Sequence, residues 1–164
     1  MARGRLRGFR PERLRLARQA AGLTQEQLAI RTDISRASIG SWEAGRTAPD
    51  PRNAVRLAQA LHLSIQALTG ITVADAQPAD FRLWRGLTRQ MVAELSGVAE
   101  PVLGQIERFA VRPGPDTASR LARLFGIERR TYLAAWERGR ARLAARHVGT
   151  DFPHRDLPTT APDE

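Results

Sequence analysis

The sequence predicts an all-α protein built from two tandem five-helix units, with a long C-terminal helix extending the second unit. Alanine, leucine and arginine dominate a chain with only five Phe, three Trp and one Tyr, so its residues favour helices over strands. The second observation is an internal repeat in a chain of 164 residues. This length is sufficient for two compact helical domains of about sixty residues each.

The repeat has a constant offset of 64 residues. Shifting the chain against itself by this offset aligns the Gly-Leu-Thr string at 22–24 with the same string at 86–88. Twelve of the 47 positions from 22 to 68 are identical in the two copies, and Glu43 aligns with Glu107. Paired Gly, Thr, Glu and Pro in one register exceed what shared composition supplies, so we interpret them as two copies of one unit.

The two copies and their flanks give the predicted domain organisation. The segments are an Arg-rich N-terminal arm at 1–8, a first helical domain at 9–72, a linker at 73–78, a second domain with a C-terminal helix at 79–146, and an acidic Pro-rich tail at 147–164. The tail has no periodic pattern of apolar residues, so we expect it not to pack against the rest of the chain.

Capping residues and prolines place the helices of the first unit. Residues 12–21 are rich in helix formers, and Gly22 supplies a C-terminal stop. Thr24 is expected to cap the second helix with Gln27 as its capping-box partner, and Ser35 to cap the third. Pro49 and Pro51 start the fourth helix, and Ser64 caps a short fifth helix whose Leu63 and Leu68 close the core.

The third helix, at 35–44, has an unusual outer side. Ile39 and Trp42 face inward, three residues apart. Their outward neighbours are small or hydrogen-bonding, namely Arg36, Ala37, Ser38, Gly40 and Ser41. A slim face without bulky apolar side chains is suited to docking close to base edges.

The charge of the chain favours a polyanionic partner. All 26 basic residues are Arg, against 17 acids, which gives a formal net charge of +9. Residues 1–72 carry 12 Arg and five acids, so the basic excess is strongest in the first unit. Arginine forms forked hydrogen bonds with phosphate and guanine, which favours nucleic acid over a membrane surface.

Several function classes are excluded or disfavoured by composition. The absence of cysteine excludes disulfides, thiolate catalysis and the common structural zinc sites. No run approaches about 20 apolar residues and no hydrophobic stretch follows the Arg-rich start, so we expect a cytoplasmic, nucleoid-associated protein.

The histidines do not indicate an enzyme. His147, Asp151 and His154 lie in the Pro-rich tail and are not expected to bind a metal, and His62 is expected to be a turn residue. The sequence therefore predicts no catalytic residue, no cofactor and no metal site.

One long string resembles a known family. Gly-Leu-Thr-Gln-Glu-Gln-Leu-Ala at 22–29, followed by Ile34-Ser35-Arg36, Trp42-Glu43 and Gly45-Arg46, is similar to the Cro/phage-repressor (XRE) helix-turn-helix family. The similarity covers residues 9–70, and the second copy resembles the same family more weakly. The resemblance implies lambda-repressor-like domains and a bacterial-type regulator of transcription that inserts helix 35–44 into the major groove of double-stranded DNA.

The resemblance also implies roles for individual side chains. Gln25 would bind a phosphate, Arg36 would form two hydrogen bonds with guanine, and Ala37 would contact a thymine methyl group. The arginines of the arm would follow the minor groove or the phosphates. The complete set of expected DNA-binding residues is Gln25, Ser35, Arg36, Ala37, Ser38, Ser41, Arg46, Arg3, Arg5, Arg7 and Arg10.

Related domains pair an arginine of the first helix with the glutamate that closes the third helix. The matching residues are Arg18 with Glu43, and Arg82 with Glu107 in the second copy. We therefore expect two structural ion pairs, and Glu43 is not counted as a DNA ligand.

The second copy departs from the first at docking positions. Glu100 stands in place of Arg36, Pro101 in place of Ala37, and Phe109 in place of the Gly45 stop, so we expect a rearranged loop and a loss of base reading. Remaining candidates for DNA contact in this copy are Arg89, Arg108 and Arg112.

Two questions stay open at the level of sequence. The helix at 130–146 carries Leu133, Trp136 and Leu143 at a spacing that suits either a homodimer or packing on the second unit's own core. The scaffold also allows a different class of function, a protein-interaction adaptor or antitoxin-like partner-binding protein that does not read DNA.

Overall fold

A computed structural model describes residues 5–148 of the chain. This range contains nine α-helices and two short 3-10 helices, Ile65–Leu68 and Val73–Asp75, with one isolated antiparallel bridge between Phe9 and Thr69. The α-helices are α1 Pro11–Ala20, α2 Gln25–Thr32, α3 Arg36–Glu43, α4 Pro51–Ala60, α5 Pro78–Trp84, α6 Arg89–Ser96, α7 Glu100–Glu107, α8 Pro115–Phe125 and α9 Arg129–Val148. The predicted all-α fold with two tandem units and a long last helix is confirmed.

The first unit packs α1 to α4 and the following 3-10 helix around one apolar core. Thr24 Oγ1 accepts a hydrogen bond from the Gln27 N–H at 3.1 Å, and Gln27 Oε1 accepts one from the Thr24 N–H at 2.8 Å. Ser64 caps the 3-10 helix through the Ala67 N–H. One core prediction is wrong, because Leu63 is 38 % exposed and Ile65 is buried in its place.

The second unit repeats this arrangement with α5 to α8 and the first half of α9. The first turn of α9 occupies the place of the first unit's 3-10 helix, and Tyr132 is buried where the first unit has Leu68. Trp136 belongs to this core and Leu133 packs against it. Leu133 and Trp136 therefore pack on the second unit's own core, which is one of the two interpretations of the helix at 130–146.

The loop after α7 keeps the path of its counterpart after α3, contrary to the prediction of a rearranged loop. Gly45 has a φ of 72° and Phe109, at the same position of the repeat, has a φ of 62°. A phenylalanine in this left-handed conformation costs about 1–2 kcal/mol. The Phe109 ring is buried against Gly139 and lies 6.3 Å from the ring of Trp136, so packing on α9 offsets that cost.

The N-terminal segment is part of the fold from Leu6 onward, which differs from the predicted flexible arm at 1–8. The Leu6 side chain is buried in the first core, and its N–H donates to the Pro49 carbonyl at 2.9 Å. Arg7 binds the buried carboxylate of Asp80 in the second unit, with its Nε 3.1 Å from Oδ1. Asp80 also accepts from the Gln77 N–H at 2.7 Å. A segment that packs on one unit and bonds to the other therefore holds the two together.

The connection predicted as a polar linker is also packed. Ile71 and Ala76 are buried in the second core, and the 3-10 helix Val73–Asp75 lies between them. Trp84 packs against the cores of both units. The two units therefore share side-chain contacts rather than being joined by a free tether.

Tyr132 offers a direct test of the second core, because it is the single tyrosine of the chain. Its ring lies 6.0 Å from the ring of Phe125 and 6.1 Å from that of Phe81. Burial, with a smaller effect of the Glu107 charge, raises the pKa of Tyr132 well above its ordinary range. Because the raised pKa belongs to the folded state, its contribution to stability is complete below about pH 10 and declines as the pH rises further.

We expect phenolate absorbance to appear only when the protein unfolds in alkali. The same chain in urea should titrate near pH 10, the ordinary value for tyrosine. A folded protein whose Tyr132 titrates near that value would show that the ring is open to solvent.

Candidate nucleic-acid interface

Helix α3 has one buried side and one open side. Ile39 and Trp42 are buried in the first core, where α3 packs on α1 and α2. Arg36 and Ala37 are exposed, and Ser38 and Ser41 are half-buried. We call the open side of α3, the first residue of α2 and the loop after α3 the docking face. Its residues are Gln25, Arg36, Ala37, Ser38, Ser41 and Arg46.

Arg36 is the first residue of α3, and its side chain is 68 % exposed. The acid paired with it is Glu26 of α2, whose Oε2 lies 3.9 Å from the Arg36 Nε. An exposed pair at this separation contributes little, because water screens both charges. The Arg36 guanidinium therefore keeps its hydrogen-bond donors open to a ligand.

The serine hydroxyls of the docking face have structural partners. Ser35 Oγ accepts from the Ser38 N–H at 3.2 Å and caps α3, and it lies 2.8 Å from Ser38 Oγ. Ser41 Oγ is hydrogen-bonded to Thr47 Oγ1 at 2.8 Å. Thr47 was not identified from the sequence, since only the fold brings the loop back onto α3. These bonds fix the shape of the face.

Glu43 connects α1, α2 and α3 in the interior. Arg18 Nε donates to its Oε1 at 2.6 Å and Arg18 Nη2 to its Oε2 at 2.9 Å, so the ion pair expected from the sequence is bidentate. Arg18 Nη1 also donates to the Leu23 carbonyl at 2.7 Å. Only 11 % of the Arg18 side chain and 4 % of the Glu43 side chain are exposed. The pair therefore fixes the end of α3 against α1.

The protonation of this cluster follows from its contacts. Burial raises the pKa of Glu43, but hydrogen bonds from Arg18 and Gln25 and the nearby positive charges outweigh burial, so the net shift is downward. The hydrogen bond to Glu43 raises the pKa of Arg18. Both groups are therefore charged at neutral pH.

Gln25 begins α2 beside this pair. Its Nε2 donates to Glu43 Oε2 at 2.9 Å, which directs the amide toward α3. An amide nitrogen carries two donors, so one N–H is left for a phosphate. The structure thus shows that Gln25 also contacts Glu43, which the sequence reasoning did not identify.

The other arginines expected to bind DNA differ in whether the structure leaves their guanidinium groups open to a phosphate. Arg46 is exposed directly after α3 and forms no ion pair within residues 5–148, and Arg5 is exposed. Arg10 is also exposed and lies against Gly70. Arg7 is bound to Asp80, so it is not a free cation for DNA, and Arg3 lies outside the described residues.

The second unit reproduces the internal cluster but not the docking face. Arg82 Nε donates to Glu107 Oε1 at 2.5 Å, and Arg89 Nε to Glu107 Oε2 at 2.9 Å. Arg112 is paired with Glu137 at 2.7 Å. Arg108 is exposed beside Gly104, and the open side of α7 presents an acid, a proline and an apolar side chain, namely Glu100, Pro101 and Val102.

The described part of the chain shows no cluster of metal ligands and no membrane-spanning helix. Among the side chains that the structure describes, no three His, Asp or Glu side chains come together to hold a metal ion. Between residues 5 and 148, no helix combines the length and apolarity needed to cross a bilayer. His147 lies at the edge of this range, and Asp151 and His154 lie beyond it.

Comparison with known proteins gives one clear match. The family described as helix-turn-helix matches the chain twice, over residues 14–68 and 79–129. Searches of curated proteins and of solved structures each return no match. The two matched segments coincide with the two units of the fold, and together they span more than half of the chain.

Proposed function

Since the chain belongs to the Cro/C1-type helix-turn-helix (XRE) family of DNA-binding regulators, we propose that it reads a specific sequence in double-stranded DNA and regulates transcription by inserting α3 into the major groove. The observation that carries the proposal is the open side of α3, which combines an exposed Arg36 with small neighbours. B-DNA has a major groove about 12 Å wide that admits a helix. Small side chains let the helix axis approach the base edges.

Base reading is assigned to the first turn of α3. Arg36 projects from the first position of the helix, where a guanidinium can form two hydrogen bonds with the O6 and N7 atoms of one guanine. Ala37 beside it offers a methyl group for contact with a thymine methyl. Ser38 and Ser41 are proposed to supply weaker polar contacts from the next turn.

Phosphate contacts are assigned to the edges of the docking face. Gln25 has one free amide N–H, and it begins α2, where helix N-termini favour anions. Arg46 follows α3, and Arg5 and Arg10 extend the basic surface beside α1. These contacts position the protein on the duplex without selecting a sequence.

The second unit is proposed to support the first without reading bases. Glu100 occupies the position of Arg36 and repels phosphates, and Arg112 is bonded to the carboxylate of Glu137, whereas Arg89 uses only its Nε for Glu107. Arg89 and Arg108 are the candidates for a phosphate contact in this unit. A homodimer through residues 130–146, one of the two alternatives that the sequence left open, stays a prediction, and sedimentation equilibrium measures it.

The experiment that tests the function is selection from a pool of random duplexes, followed by gel-shift measurements at several salt concentrations. We expect one defined sequence to be enriched and the affinity for it to fall steeply with salt, because bound cations release counterions from DNA. A pool that stays random, or binding that salt does not weaken, would contradict the proposal. That outcome would favour a protein-interaction adaptor.

Arg46→Ala tests the proposed division between base and phosphate contacts. Removal of one phosphate contact should weaken binding to all duplexes alike and reduce the slope of log affinity against log salt by about one. Arg123→Ala, an exposed arginine of α8 in the second unit, is the matched control and should leave the slope unchanged. A change in the preferred sequence on Arg46→Ala would assign that residue to base reading instead.

A further inference from the structure

A groove of about 740 Å³ lies between the two units, where α4 of the first faces α5, α6 and α7 of the second. Its floor is apolar and consists of Val55, Leu83 and Leu87 with the backbone of Gly86. Gly86 has a φ of 68°, and a Cβ there would lie 3.1 Å from Val55 Cγ2. A glycine at this turn therefore lets α4 come close to the second unit and closes the base of the groove.

The rim of the groove carries guanidinium groups with open donors. Arg52 is exposed and forms no ion pair with any residue between 5 and 148. Arg89 uses only its Nε for Glu107, which leaves its terminal nitrogens available. Arg56 Nη1 donates to the Asp33 carbonyl at 3.2 Å and lies 3.7 Å from Oδ2 of the Asp33 carboxylate, and half of the Arg56 side chain is exposed. Three arginines thus border an apolar floor.

The other charged groups at the groove have defined positions. Asp50 caps α4 through the Asn53 N–H at 2.8 Å, and Arg82 is bonded to Glu107. Glu100 lies at the start of α7 and is exposed. The rim therefore presents more open cationic donors than carboxylates, which favours an anionic group in the ligand.

We propose that this groove binds a small amphipathic organic anion, with its apolar body on Val55, Leu83 and Leu87 and its carboxylate or phosphate held by Arg52 and Arg89. Small-molecule sites commonly measure about 300–1,000 Å³, and they occur preferentially between domains. Since the walls belong to different units, a bound ligand fixes how the units sit relative to each other. The proposal stands independently of DNA binding by α3.

The test uses anilinonaphthalene sulfonate as the probe and N-phenylnaphthylamine, which lacks the sulfonate, as its neutral counterpart. With the full chain, we expect saturable binding of the sulfonate at one site, about tenfold weaker binding of the neutral compound, and chemical-shift changes at the Gly86 amide. Equal affinity for the two compounds would overturn the proposal, because the site would then recognise only apolar surface.

Two arginine variants show where on the protein the sulfonate probe binds. Arg52→Ala should weaken sulfonate binding about tenfold through loss of a charge-assisted hydrogen bond, whereas Arg123→Ala should leave it unchanged. Binding that is the same in Arg52→Ala and in the unmodified chain would place the probe elsewhere and overturn the assignment. Displacement by an equal concentration of inorganic phosphate would also overturn it, because the site would then recognise a bare anion.

Discussion

Arg18→Ala is expected to lower the free energy of unfolding of the first unit by about 3–5 kcal/mol. The substitution leaves the carboxylate of Glu43 buried without its bidentate partner. It also removes the donor to the Leu23 carbonyl between α1 and α2. Urea denaturation followed by circular dichroism measures the effect.

A matched control comes from the same helix. Gln19→Ala removes an exposed polar side chain of α1 next to Arg18 and should change the free energy of unfolding by less than about 0.5 kcal/mol. If Arg18→Ala destabilises the protein no more than Gln19→Ala, the buried pair is not what fixes α3 against α1. DNA binding by the variant should then also be unaffected.

The pH dependence of stability tests whether the ionised form of Glu43, in its pair with Arg18, stabilises the fold. The folded-state pKa of Glu43 lies below its ordinary value, so its ionised form stabilises the fold fully above about pH 4.3. This contribution is lost as the pH falls through the folded pKa. The difference in unfolding free energy between the unmodified chain and Glu43→Gln should therefore stay nearly constant above about pH 4.3 and shrink as the pH falls further.

Arg36→Ala is expected to relax the preference for one base pair of the selected site by about 1–3 kcal/mol, up to roughly a hundredfold in relative affinity. The reason is the loss of two hydrogen bonds to one guanine. Stability should hardly change, because Arg36 is exposed and its pair with Glu26 is weak. Competition binding with duplexes substituted at each position measures the preference.

Arg36→Lys separates charge from geometry. Lysine keeps the positive charge but lacks the planar fork that bonds to guanine at two points. We expect Arg36→Lys to retain most of the salt-dependent affinity and to lose most of the preference at that base pair. An unchanged preference in both variants would remove Arg36 from base reading.

Local chemistry made much of the fold predictable from the sequence. Thr24 and Gln27 form a capping box because both partners lie within one turn of chain, and Ser35 caps α3 for the same reason. The pairs Arg18 with Glu43 and Arg82 with Glu107 were predictable from the family resemblance, and the presence of both charges in each copy supported the prediction. The family similarity assigned the roles that spacing alone leaves open.

Contacts between distant segments were not predictable in this way. Phe109 adopts the conformation of the glycine it replaces because its ring packs on α9, some thirty residues further along the chain. Arg7 is bound to Asp80 rather than available for DNA, and no local pattern indicates that partner. The contact of Gln25 with Glu43 likewise depends on how α2 and α3 cross.

Insertion of α3 into the major groove can be tested by locating α3 on DNA. The chain has no cysteine, so Ala37→Cys creates a single attachment point for an iron–EDTA cleavage reagent on the docking face, and Ala141→Cys on α9 is the control. We expect the reagent at position 37 to cut the selected duplex within the enriched site, with the offset between the cuts on the two strands that a source in the major groove produces. Cleavage with a minor-groove offset, or cuts spread equally from both positions, would contradict insertion of α3 into the major groove.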